Sequence, residues 1–71
     1  MNKAALKSKM ALNNDTGILL SKALGITNTT LSDKMNEKSE FTRKEIQKIK
    51  ERYKLNATEI DNIFFNNSVT Y

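Results

Sequence analysis

Apolar residues along this chain recur at the spacing of helices. Leu6 and Met10, four apart, mark an amphipathic first helix over about 3–12. Asn13-Asn14-Asp15 breaks it, and Asp15 or Asn14 can cap the next helix through a side-chain oxygen. Leu20 and Leu24 lie one turn apart and place a second helix over about 16–24. Gly25 ends it, because glycine takes a positive φ cheaply. Ile26 then points inward and Thr27 caps a third helix over about 28–36, with Leu31 and Met35 as its buried stripe.

The fourth helix has the clearest start. Thr42 and Glu45 are spaced as a capping box, and Ile46, Ile49 and Tyr53 follow at helical intervals over about 42–53. Asn56 and Glu59 repeat that start for a fifth helix over about 57–65, with Ile60, Ile63 and Phe64 on one face. The expected core is Leu6, Met10, Leu20, Leu24, Ile26, Leu31, Met35, Ile46, Ile49, Tyr53 and Ile60. No segment alternates apolar and polar residues, so the expected class is all-α. Residues 1–65 read as one domain. Residues 66–71 are rich in Asn and Ser and read as a mobile tail.

Charge and composition narrow the function. The 71 residues carry a net charge of +4. All twelve cations lie between Lys3 and Lys54, against six anions there, which leaves a basic body before the acids Glu59 and Asp61. That balance suits a nucleic-acid partner, and it equally suits a lysine-rich solvated surface. The chain contains no His and no Cys, and no Gly-rich phosphate loop. Its acids sit among lysines rather than in a carboxylate cluster, so neither catalysis, a metal site, a cofactor nor a small-molecule substrate is expected. No apolar run reaches the roughly 20 residues of a membrane span, and the N-terminal stretch has no apolar signal core. A cytoplasmic setting is expected.

The informative stretch is Thr16 to Asn36, TGILLSKALGITNTTLSDKMN. It resembles the helix-turn-helix of the Cro/repressor-type regulators of temperate phages. Gly25 matches the turn glycine, and Leu20, Leu24, Ile26 and Leu31 match the buried positions. Ser21 stands where the family usually has alanine. The resemblance covers about residues 4–65 and implies a five-helix, lambda-repressor-like DNA-binding domain. In that family the third helix enters the major groove. Carried over, Thr27, Asn28, Thr29 and Ser32 would face bases, with Asp33 and Asn36 also outward, and Lys34 and Lys38 would reach phosphates.

Three departures turn the reading toward a protein partner. Asp33 places a negative charge where phosphates crowd. Gly17 occupies a slot the family usually gives to a phosphate-binding glutamine. Ile18 and Leu19 stand where the family usually has polar residues, and so would point outward. Phe64 and Phe65 are neighbours about 100° apart on a helix, so only one can face a narrow core stripe. The chain thus looks similar to the small modulator-of-repression antirepressors, which bind their phage's repressor and favour the lytic side of the genetic switch. The expected partner surface is Gly17, Ile18, Leu19, Asn28, Ser32, Asp33, Phe64 and Phe65. The alternatives are a Cro-like dimer that binds operator DNA directly, and an accessory or toxin–antitoxin domain with another partner.

Overall fold

The computed structural model describes residues 1–65; the expected tail at 66–71 lies outside the described residues. Five helices follow one another: α1 (Lys3–Leu12), α2 (Gly17–Leu24), α3 (Asn28–Met35), α4 (Arg43–Tyr53) and α5 (Ala57–Phe64). Among the described residues there is no strand. The boundaries match expectation to within one residue, because Thr16, Thr42, Asn36 and Phe65 serve as caps just outside their helices.

Each helix starts on a side-chain cap. Asn2, Thr16, Thr27, Thr42 and Asn56 each accept the amide of the residue three positions on, satisfying one of the orphan N–H groups of the first turn. Both expected capping boxes are complete: Glu45 accepts the Thr42 amide at 2.8 Å and Glu59 the Asn56 amide at 3.0 Å. The α2 cap corrects the expectation that Asp15 or Asn14 would serve. Thr16 takes that role, and the Asp15 carboxylate reaches instead to α4.

The ends of the first four helices share one device. Asn14, Gly25, Glu37 and Lys54 follow α1, α2, α3 and α4 with φ of 53°, 75°, 63° and 54°. In each case the next amide reaches back to a carbonyl five residues earlier: Asp15 to Met10, Ile26 to Ser21, Lys38 to Asp33 and Leu55 to Lys50. This left-handed residue satisfies carbonyls that the helix leaves open.

Leu6, Met10, Leu20, Leu24, Leu31, Met35, Ile49, Tyr53, Leu55, Ile60 and Ile63 form a single buried cluster. Ile26 and Ile46, expected inside it, are half-buried and pack on its edge. Leu55 was not expected. Ile26, Phe41 and Leu55 each precede an N-cap and stand five residues before Leu31, Ile46 and Ile60, the spacing of a hydrophobic staple. Of these, Leu55, Leu31 and Ile60 lie inside the cluster, whereas Ile26, Phe41 and Ile46 pack on its margin.

α2 packs on α3 and on α4, and α1 packs on α5. The Asn2 amide donates to the Ile63 carbonyl at 2.6 Å, and the Lys9 ammonium pairs with the Glu59 carboxylate. The first helix is therefore closed by the last. Asp15 ties the α1–α2 connection to α4, accepting Arg52 Nε at 2.7 Å, Arg52 Nη2 at 2.9 Å and Tyr53 Oη at 2.5 Å.

Candidate interaction surface

The surface at issue is built on the α2–α3 pair. The turn between them holds its shape through Gly25, whose amide reaches Lys22 O at 3.1 Å while Ile26 reaches Ser21 O at 3.0 Å. Leu20, Leu24 and Leu31 pin the pair to the core. Ser21 is buried, and its hydroxyl donates to the Ile18 carbonyl at 2.8 Å, so its polarity is satisfied within α2.

This anchoring leaves Ile18 and Leu19 outside. They are 58% and 46% exposed at the start of α2. Leu20 takes the inward position, and its two predecessors are rotated away from it by about 100° and 200°. Gly17 brings the starts of α2 and α3 together: a Cβ there would stand 3.0 Å from Asn28 Oδ1. Along α3, Thr27, Asn28, Thr29 and Ser32 are exposed and Asp33 is half-buried. Among the described residues, Asp33 has no ionic partner within 4 Å.

Lys34 corrects the expectation that it would reach phosphates. Its side chain is 10% exposed, and Nζ donates to Glu40 O at 2.9 Å and pairs with Glu45 Oε1 at 3.0 Å. It also lies 6.0 Å from the Phe41 ring centre. Burial opposes the charge of Glu45, but hydrogen bonds from the Thr42 amide and Lys34 outweigh it and hold the carboxyl below its usual range. Lys34 thus joins the end of α3 to the capping box of α4. Lys38 is exposed and, among the described residues, has no ionic partner.

Phe64 and Phe65 divide as helical geometry requires. Phe64 is half-buried and meets Phe41 edge-on, with ring centres 5.3 Å apart, whereas Phe65 is 57% exposed. They line hollows bounded by α4, α5 and the α3–α4 connection, with neither Ile18, Leu19 nor Asn28 on any wall. The eight expected partner residues therefore fall into two places, the α2–α3 face and the α4–α5 end.

Leu12 and Lys3, both on α1, carry no part in the expected surface. Leu12, at the end of α1, is 74% exposed; it lies off the Leu6–Met10 stripe, so helical spacing could have flagged it. Lys3 Nζ donates to Asn36 Oδ1 at 2.7 Å, and Asn36 in turn donates to Ser32 Oγ at 3.4 Å. That link joins residues 33 apart in sequence and leaves no local mark. Among the described residues there is no cluster of potential metal ligands and no helix long and apolar enough to cross a membrane.

No protein-family model, curated protein sequence or solved structure matches the chain.

Proposed function

We propose that this chain is a helix-turn-helix regulator of the Cro/repressor type, with α2 and α3 as the motif in a lambda-repressor-like domain, and that it acts as an antirepressor. It binds the N-terminal helix-turn-helix domain of its phage's repressor and covers the surface that reads operator DNA. The setting is the cytoplasm of the bacterial host, and the protein acts without catalysis. The observation that carries this reading is the exposure of Ile18 and Leu19 beside the start of α3. Aliphatic anchors at the centre of a small interface supply most of its affinity, and the Thr and Asn side chains of α3 supply a polar rim. Asp33 supports it as well. A carboxylate repels phosphates but pairs with an Arg or Lys that would otherwise grip the operator. Competition for one surface is sufficient, with no change of conformation.

The test is calorimetric titration with the repressor's N-terminal domain. Wild type is expected to bind, and the Ile18→Asp, Leu19→Asp double variant to lose at least about tenfold in affinity while keeping its helical circular dichroism. No binding by wild type, or equal binding by the folded variant, refutes the reading.

A second reading is direct operator binding, favoured by the exposed row Thr27, Asn28, Thr29 and Ser32 with Lys38 nearby. The withdrawal of Lys34 from the surface weakens it. Fluorescence anisotropy on operator DNA separates the two: weak, steeply salt-dependent binding fits the antirepressor, and tight sequence-specific binding at moderate salt fits the second reading.

A further inference from the structure

With Lys34 turned inward, a cation reaches the outward side of α3 from another helix. Asn28, Ser32 and the C-cap Asn36 are all exposed and recur every four residues, so they form one row along α3, about 12 Å long. One end of the row meets α2. A Cβ on Gly17 would stand 3.0 Å from Asn28 Oδ1, and Gly17 leads into the exposed Ile18 and Leu19. The other end meets α1. Lys3 Nζ donates to Asn36 Oδ1 at 2.7 Å, and Asn36 Nδ2 donates to Ser32 Oγ at 3.4 Å. An ammonium has three donors, so Lys3 keeps two after Asn36 is served. Among the described residues it has no ionic partner within 4 Å. Thr29 and Asp33 form a second row about 100° round the helix from the first, and Asp33 is likewise without an ionic partner among the described residues.

We propose that the partner surface extends onto α1, and that Lys3 is a specificity-determining residue which pairs with a carboxylate of the protein partner. The surface then has an apolar end at Ile18 and Leu19, a polar row along α3, and a cationic end at Lys3. Asn36 is the positioning residue: it holds the ammonium in line with the row, so less side-chain freedom is lost when the partner arrives. Asp33 decides between a protein and a nucleic acid as occupant. A phosphate backbone offers one sign of charge, so whatever attracts it to Lys3 repels it from Asp33. A protein surface can set an acid against Lys3 and a base against Asp33, and two opposite contacts fix the register of the complex. This inference rests on the antirepressor reading and adds to it the acidic group that the repressor domain must carry.

The test is calorimetric titration of the full chain with the repressor's N-terminal domain at several salt concentrations. Lys3→Met is expected to bind about tenfold more weakly than wild type at low salt, and its affinity is expected to fall less with added salt, because a charge pair has been removed. Lys3→Arg is expected to bind as wild type does. Asn36→Ala keeps the cation but frees it, and is expected to lose a smaller part of the affinity. A residue that only steadied α3 would not change the salt dependence. Lys3→Glu is expected to bind more weakly still, and one carboxylate-to-lysine change on the repressor domain is expected to restore its binding. If wild type and Lys3→Met bind the repressor domain alike at every salt concentration, or if no such change rescues Lys3→Glu, the proposal is overturned while the antirepressor reading stands. If wild type does not bind at all, both fall. A Lys3→Met variant that changes the salt dependence on operator DNA, and not on the repressor domain, assigns the contact to phosphate and overturns the proposal as well.

Discussion

At Gly25 a Cβ would meet nothing within 4 Å, so the glycine is favoured by its backbone angle alone. At φ of 75° an L side chain crowds its own carbonyl. Gly25→Ala is therefore expected to cost about 1 kcal/mol, read as a lower urea midpoint with unchanged slope. Lys34 is the opposite case, a residue whose surroundings decide its role. Removing its charge leaves the Glu45 carboxylate and the Glu40 carbonyl short of a donor. Lys34→Met is expected to cost about 1–3 kcal/mol in the same assay. Because its ammonium is turned inward, this substitution should leave the salt dependence of any DNA binding unchanged, whereas Lys38→Met should lower the slope by about one.

Helix starts and helix ends differ in what they write into the sequence. A capping box needs two particular side chains three residues apart, so Thr42–Glu45 and Asn56–Glu59 are legible from residue types and spacing alone. A left-handed helix end needs only a backbone angle. Gly25 announces it and Asn14 hints at it, but Glu37 and Lys54 adopt the same conformation with no compositional mark. The candidate surface divides in the same way. The outward turn of Ile18 and Leu19 follows from helical spacing against Leu20. The inward turn of Lys34 depends on Glu40 and on Glu45, one helix further on, and no local pattern encodes it. The capping prediction belongs here: Thr42→Ala and Asn56→Ala are each expected to cost about 1 kcal/mol. The Thr42 variant should lose more, because Glu45 and the Lys34 it holds are buried further from solvent than Glu59 and Lys9, the corresponding pair at the Asn56 box. Thermal unfolding of the two variants side by side checks that order.

Across the whole molecule, Asp15 joins the first half of the chain to the second. The side-chain hydrogen bonds from Arg52 are the largest influence on its carboxyl; with Tyr53 and the Thr16 amide they overcome burial and lower its pKa from 3.8 to about 2. Burial, together with the same contact, pushes the Tyr53 hydroxyl up. A depressed carboxyl stabilises the fold only while ionised. Its contribution, about 2 kcal/mol, is present in full above the unfolded value near pH 4 and is lost as pH falls from there toward 2. Glu45 and Glu59 are lowered too and act in the same direction. Urea midpoints should therefore fall between pH 6 and pH 3, and Asp15→Asn should start lower at pH 6 and fall less. A variant that keeps the full wild-type slope would show that Asp15 is not responsible.

The closure of α1 by α5 has a consequence for how the protein is made. The ribosome delivers Leu6 and Met10 early, yet the Ile63 carbonyl and Glu59 carboxylate that receive α1 arrive about fifty or more residues later. At about 5–20 residues per second, that interval is roughly 3–11 s. Throughout it the apolar stripe of α1 has no permanent place. A nascent chain stalled before Asn56 presents that stripe to whatever waits at the tunnel mouth, and holdase chaperones bind such stripes. Docking of α5 is then the step that gives α1 its place.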